Sequence, residues 1–342
     1  MPQLNKSRTI LLSPDQDGIK KAVEFLKKDE LVAFPTETVF GLGASALSTP
    51  GIEKIYAVKG RPTCNPLIVH IANPEDAFLW AKVPKIAQDI IDCFWPGPLT
   101  LVLPRKIKKN RNLSDLVTGN LNTIAIRVPV YPLARSLIKT YGAPIAAPSA
   151  NISGKLSTTR AIDVLNSFNG QISSIIDDKP CSIGLESTII GFEQGTPVLL
   201  RPGGITVEEL KERLNLSVSP PKFDKKARKK ILAPGMLESH YAPQTQLRLN
   251  VKSPKPDELF LGFGEMPRVY NGLCLSKSFD LTEAAANLFA ALADLDLMAN
   301  TMKKNAIAVA PIPNFGLGRA INDRLKRASV KKVQADPPKV AK

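Results

Sequence analysis

Short apolar runs that open into polar, glycine-bearing loops recur through the first 210 residues, with segments of helical period between them. LVAF opens into PTETVFGLG, KGRPTCN leads into PLIVHI, and PIAA opens into PSANISG. DGIKKAVEFLKK puts Ile19, Ala22, Val23 and Leu26 on one helical face. TPGIEKIYAVKG carries Pro50 in its first turn and Gly60 past its end, which fits a helix stopped by glycine. Alternation of this kind predicts an α/β chain, a sheet covered by helices, with ligand sites in the loops at strand ends.

The remaining segments fit the same scheme. LVAFPTETVFGLG begins as a strand and is expected to break at Gly41 and Gly43. NPEDAFLWA, VPKIAQDIIDCF and YPLARSLIKTYG read as helices, WPGP as a turn, and TLVLP and NTIAIRVPV as strands. TTRAIDVLNSF reads as a helix that Thr158 or Thr159 is placed to cap. SIID, ESTIIGF and PVLLRPGG are strand-like, and Thr206 with Glu209 makes a capping box before TVEELKERL. The first domain is expected at 1–213, followed by a basic linker at 214–245. ELFLGFG, GLCLS and AIAVAPIP then alternate with two helical segments over 246–335, which predicts a smaller Rossmann-like α/β domain with a mostly parallel sheet. Residues 336–342 are left as a tail.

Charge and cysteine content limit the partners. The chain of 342 residues carries a formal charge of +15, densest in the linker, where 211–245 hold 8 Lys/Arg against 3 Asp/Glu. An excess of that size suits an anionic partner, a nucleotide or an RNA. No apolar stretch is long enough for a membrane span. MPQLNKSRTILL has no apolar block before a cleavage site, so no signal peptide is expected. Cys64, Cys93, Cys181 and Cys274 are scattered and only two histidines are present, which disfavours a zinc site and suits free thiols in the cytoplasm.

No P-loop signature, no G-x-S-x-G and no carboxylate pair stands out. GLGASA and GLGRA are fragments of a dinucleotide fingerprint without its acidic partner, a weak basis for an oxidoreductase. What the strand-end loops do hold is arginine, lysine and many neutral hydroxyl and amide groups. Lys59 and Arg61 have no acid close in sequence and form a point charge and a planar fork suited to phosphate. Asn65 and His70 stand nearby, though a lone histidine in an apolar strand is as readily a core residue. Arg127, inside an apolar strand, needs an anion, either a protein carboxylate or a substrate one. Ser149, Asn151, Ser187 and Arg201 repeat the theme. This inventory favours nucleotidyl chemistry by positioning and charge stabilisation over hydrolysis by an acid–base pair.

PTETVFGLG, KGRPTCNPL with VHI, FWPGPLTLVL, TIAIRVP, APSANISG, ESTII and LLRPGG, in this order, resemble the threonylcarbamoyl-adenylate synthase (YrdC-like) family. PGMLESHYAP and the second α/β segment resemble its long, two-domain form. The resemblance implies a twisted mixed-sheet catalytic domain. It also implies synthesis of threonylcarbamoyl-AMP and pyrophosphate from L-threonine, bicarbonate or CO2, and ATP with magnesium. A separate transferase would then use the product on the adenosine next to the anticodon of tRNA. By motif, Thr38, His70, Arg127, Ser149 and Ser187 would surround threonine or its carbamoyl group. Arg61, Asn65, Thr123, Asn151, Thr159 and Arg201 would hold ATP. Lys59 would act with Arg61 on the phosphates, as the catalytic pair. Phe40 departs from the tyrosine frequent in the family, removing one hydroxyl. Cys64 is read as incidental.

In APGMLESHYAP, His240 and Tyr241 are unusual decoration for a linker. Beside a nucleotide cleft the stretch is expected to fold back as a lid, with Tyr241 on the nucleotide. The competing reading is a non-catalytic RNA-binding module. The charge supports it, with weak tRNA contact a compatible addition to catalysis, but only 6% of residues are aromatic and no RNA-binding motif is present.

Overall fold

The computed structural model describes residues 8–107, 112–220, 241–265 and 271–330. The linker motif up to His240, most of the basic linker and the C-terminal tail lie outside the described residues.

Among the described residues ten strands form one mixed sheet: β1 (Ile10–Leu12), β2 (Val32–Phe34), β3 (Gly41–Ser45), β4 (Ile68–His70), β5 (Leu99–Pro104), β6 (Thr123–Arg127), β7 (Ile145–Ala146), β8 (Ser174–Ile176), β9 (Thr188–Glu193) and β10 (Thr196–Arg201). Their spatial order is β1-β8-β2-β3-β7-β4-β6-β5-β9-β10. β4 runs parallel to β6 and β5 parallel to β9, while β5 and β6 are antiparallel. A second sheet is parallel throughout, in the order β11-β14-β12-β13, from β11 (Gln246–Arg248), β12 (Glu258–Gly262), β13 (Gly272–Cys274) and β14 (Ala306–Val309).

The period of two in the strands divides the large sheet into two faces. Leu31 and Ala33 of the β2 segment point to one face, where α2 (Thr49–Lys59), α3 (Ala77–Trp80), α4 (Lys85–Phe94), α6 (Ala161–Phe168) and α7 (Val207–Leu214) bury Ile55, Trp80, Ile90, Val164 and Leu210. Val32 and Phe34 point to the other, covered by α1 (Gln16–Lys27) and α5 (Pro132–Tyr141) through Ile19, Ala22, Val23, Leu26, Leu133 and Leu137. Asp15 caps α1, accepting from Gly18 N at 2.9 Å. Beyond α1 and α5 the same face carries a small apolar cluster, Ile68, Val102, Ala125 and Ile189. The cavity described below opens there.

The second sheet packs against α8 (Leu281–Thr301) and α9 (Gly318–Ser329). Three residues from outside this unit, Val39, Leu185 and Tyr241, join its apolar cluster. Among the described residues no helix is long and apolar enough to cross a membrane, and all four cysteines are free.

Several sequence readings are corrected. Gly41 and Gly43 do not break a strand but lie within β3. A Cβ at Gly43 would sit 2.7 Å from the Phe34 ring, so glycine there answers a packing demand across the strand pair. Residues 74–80 form a 3-10 turn followed by one short α-helical turn, in place of the single helix expected. α6 begins after Arg160 with no side-chain cap, and Thr158 Oγ1 donates to Ala150 O. β1 and β11, three residues each, are too short to show a period in the sequence.

Candidate functional site

Strand alternation brings Ile68 with His70, Ala125 with Arg127, and Ser187 with Ile189 to the open face. The loop 36–41, the turn into 147–149, and Tyr241 close in around them. The resulting cavity, with about 520 Å³ of empty volume including its open mouth, is lined by Thr36, Thr38, Val39, Phe40, Gly41, Arg61, Ile68, His70, Arg127, Ala147, Pro148, Ser149, Glu186, Ser187, Arg201 and Tyr241.

At one end stands Arg127. Its Nη1 donates to Thr38 Oγ1 at 2.8 Å, its Nε to Gly97 O at 3.2 Å, and its Nη2 lies 2.5 Å from Glu37 Oε1. The sequence leaves its partner open between a protein and a substrate carboxylate; Glu37 is the protein one. Thr36 Oγ1 accepts from Thr38 N and bonds Thr38 Oγ1 at 2.8 Å, so the loop's own hydroxyls fix its shape. His70 packs edge-on against Phe34, with ring centroids 6.3 Å apart, and its Nδ1 has no hydrogen-bond partner among the described residues. Burial, with the Arg127 charge adding to it, lowers the His70 pKa to about 3, so the imidazole is neutral.

At the other end are Arg61, Ser187, Arg201, Glu186 and Tyr241. Arg61 sits just past α2, where Gly60 at φ 59° ends the helix. Its Nη2 donates to Asn65 Oδ1 at 2.6 Å and to Pro66 O at 2.7 Å, and its Nε to Asn65 O at 3.0 Å. Burial drops its pKa to about 10. Arg201 Nη2 donates to Ser187 O at 2.9 Å and Ser187 Oγ at 3.2 Å, and Ser187 Oγ is 2.7 Å from Thr100 Oγ1. Glu186 Oε1 accepts from Ser157 Oγ at 2.5 Å and Oε2 from Arg324 Nε at 2.8 Å. Burial would raise the Glu186 pKa, but Arg324 and Arg201 outweigh it and hold it at about 2. Tyr241, at φ 64°, stacks at a tilt on Phe289 at 5.7 Å.

Of the residues expected from the sequence, Thr38, Arg61, His70, Arg127, Ser149, Ser187, Arg201 and Tyr241 therefore meet in one cavity. Asn65, Asn151 and Lys59 stand behind its wall. Lys59 Nζ donates to Ser149 O at 2.6 Å and to Asn151 O, and burial followed by the Arg61 charge pushes its pKa well down. Asn151 Oδ1 accepts from Ser149 Oγ at 2.5 Å. Thr159 Oγ1 is buried without a hydrogen-bond partner among the described residues, outside the lining. Thr123 starts β6, opposite Pro104 and four positions from Arg127, roughly 13 Å along the strand, and the structure does not bring it to the cavity. Sequence reasoning missed Glu186, although it precedes Ser187 in GLESTII, and missed Arg324, whose partner is 138 positions away.

A mixed sheet with a cavity lined by Arg61, Arg127 and Arg201 on one face defines a class of α/β protein. Comparison with known proteins narrows the class. Residues 24–203 match a family model described as "Telomere recombination", and residues 205–330 match one described as "Threonylcarbamoyl-AMP synthase, C-terminal domain". The threonylcarbamoyl-AMP synthase of Bacillus subtilis is 41% identical over 340 residues, covering 93% of this chain and 94% of the relative. That of Pyrococcus abyssi is 40% identical over 329 residues, covering 91% and 94%. The crystal structure of P. abyssi Sua5 complexed with L-threonine superposes with a TM-score of 0.84 at 37% identity, covering 94% of this chain and 98% of the other. The chain belongs to the threonylcarbamoyl-AMP synthase family.

Proposed function

We propose that this protein is an L-threonylcarbamoyladenylate synthase, a nucleotidyltransferase. It converts L-threonine, bicarbonate or CO2, and ATP to threonylcarbamoyl-AMP and pyrophosphate. The observation that carries the reading is the pairing, in one cavity, of an end suited to an amino acid (Thr38, His70, Arg127) with an arginine-rich end suited to a nucleotide (Arg61, Arg201). The relative of known structure that binds L-threonine shares this fold over almost its whole length.

In this reading Arg127 receives the threonine carboxylate, a charge-assisted contact. His70, held neutral, accepts or donates a hydrogen bond without adding charge. The threonine amine adds to CO2, forming an N–C bond and losing a proton, and gives a carbamate. A carbamate oxygen then attacks the α-phosphorus as the bond to the pyrophosphate oxygen breaks. Arg61 and Arg201 face the developing charge, so they act by preorganised electrostatics. Lys59 fixes the 149–151 turn from behind. Asn65 and Asn151 hold Arg61 and Ser149 in place. Tyr241 packs against the nucleotide. Magnesium enters as part of the substrate, with the triphosphate. Glu37 and Glu186, carboxylates at the cavity, are each held by an arginine, which fits an ion that would arrive with the triphosphate and neutralise its charge.

The same reading takes 1–213 as the catalytic domain, 214–245 as linker and 246–335 as the C-terminal domain. It assigns the protein to the cytoplasm, where a separate transferase would pass the product to tRNA. The test is pyrophosphate release with ATP, threonine and bicarbonate, omitting each in turn. Release only with all three is expected. Equal release without threonine, or salt-dependent RNA binding with no nucleotide chemistry, would overturn the reading.

A further inference from the structure

Two cavity residues are held by a residue that does not itself line the cavity. Arg324, on α9, is 1% exposed. Its Nε reaches Glu186 Oε2 at 2.8 Å, its Nη1 reaches Asp323 at 2.8 Å, and its guanidinium carbon lies 5.3 Å from the Tyr241 ring centroid. Glu186 and Tyr241 both face the cavity.

The same arginine links the two sheet units, but it is not needed as a clamp. Arg160 already meets Asp294 at 2.7 Å, and Arg319 meets Glu208 at 2.6 Å, at more exposed positions. A fully buried ion pair adds little net stability, because desolvating two charges offsets their attraction. What such a pair does supply is a fixed position for a charge. Here the fixed charge is a carboxylate beside Arg201, in the end of the cavity where phosphate is expected. Freed from Arg324, Glu186 would turn to Arg201 and take up the charge that the nucleotide needs. The Tyr241 ring would lose its cation on one face, an interaction that is stronger where water is excluded.

We propose that Arg324 is a positioning residue of the nucleotide end of the site. It keeps the Glu186 carboxylate from closing on neighbouring Arg201 and holds the Tyr241 ring, so that the C-terminal unit completes the cavity. The inference rests on the nucleotide reading given above and assigns the C-terminal unit its part in it.

The experiment compares direct ATP and threonine titrations of the full chain for wild type, Arg324→Met, Arg324→Met with Glu186→Gln, and Arg319→Ala. Arg324→Met should weaken ATP at least tenfold and threonine less than threefold. Removing the freed carboxylate in the double variant should restore most of the ATP affinity, and Arg319→Ala should change neither ligand. ATP affinity in Arg324→Met within threefold of wild type overturns the inference. So does equal weakening of both ligands, or a double variant no better than the single one. If Arg324→Met does not fold, Arg324→Lys decides: the charge stays but the fork is lost. At least threefold weaker ATP is then expected, and wild-type affinity overturns the inference. A wild-type protein that binds no ATP overturns the nucleotide reading as well, whereas ATP binding indifferent to Arg324 overturns the inference alone.

Discussion

Arg127 Nη2 lies 2.5 Å from Glu37 Oε1, with both side chains 4% exposed. Their charges cancel at this corner, and Nε and Nη1 donate to Gly97 O and Thr38 Oγ1, while Nη2 makes no hydrogen bond among the described residues. Under the proposed function a threonine carboxylate would share Arg127 with Glu37, and the pair would orient the fork that receives it.

Replacing Arg127 by alanine removes both functions. The stranded Glu37 costs about 3–5 kcal/mol of stability. Loss of the charge-assisted contact, worth about 1.5–3 kcal/mol, weakens threonine by roughly 10- to 150-fold. ATP should change only a few-fold. Arg127→Ala with Glu37→Gln should recover much of the melting temperature and none of the threonine affinity. Calorimetric titration of each ligand and a thermal melt check this; equal losses for threonine and ATP would refute the assignment of Arg127.

The buried His70 gives a pH signature. Its folded pKa of about 3 is below its ordinary 6.5, so the unfolded chain binds a proton that the folded chain refuses. Stability is then complete above pH 6.5 and falls with acid, by about 1.4 kcal/mol per unit below that value. Glu186, held at about 2 against its ordinary 4.5, adds its own loss only below pH 4.5. Lys59, whose pKa burial pushes well down, adds a slope of the same sign below its ordinary 10.5, so the histidine's share is the difference between wild type and His70→Gln from 6.5 to 4.5. Denaturant melts across it should show a steeper decline for wild type than for His70→Gln, and parallel lines would refute the neutral, buried imidazole.

How much of this was legible in the sequence depends on range. Arg127 and Ser187 were legible because one ends and the other precedes an apolar run, and strand alternation carried them to one face; Arg61 was legible as a cation just past a glycine-stopped helix. Arg324 was not. It sits among Lys326, Arg327 and Asp323 on a helix whose other charges are all more exposed, and its full burial against Glu186 sets it apart. Lys59 was legible as a cation near the site, but its aim was not. The carbonyls it meets belong to a turn ninety positions away. Gly41 and Gly43 misled because the pressure that selects them comes from Phe34 and Ala147 across the strands, where the local sequence shows only a turn former.

Lys59 yields a prediction from that aim. Its amino group supports the carbonyls of Ser149 and Asn151, so Lys59→Met leaves the buried Asn151 carbonyl unmet, while Ser149 O keeps its bond from Asn151 N at 3.0 Å. At about 1–3 kcal/mol for one such group, the variant should lose stability by about that much. It should also lose ATP affinity, because the 149–151 turn is no longer held. Lysine touching phosphate directly would instead give a normal melt with weak ATP. Melting and titrating the same variant separates the two.

Gly184 tests the contact between the two units most sharply. Its φ of 70° lies where side chains with a Cβ are disfavoured, and an added Cβ would stand 2.4 Å from Ala285 O and 2.5 Å from Ala286 Cα. Those atoms are α8 backbone, which cannot step aside as a side chain would. Leu185 and Glu186 follow immediately, one in the C-terminal apolar cluster and the other in the cavity. Gly184→Ala should thus carry the left-handed strain of about 1–2 kcal/mol plus about 1–3 kcal/mol for displacing the loop from the helix. Gly195, at φ 82° with nothing within 4 Å of where a Cβ would stand, isolates the strain alone. Gly184→Ala should melt well below Gly195→Ala and bind ATP more weakly, since Glu186 moves with the loop. Equal melting temperatures for the two variants would mean that α8 does not press on this loop.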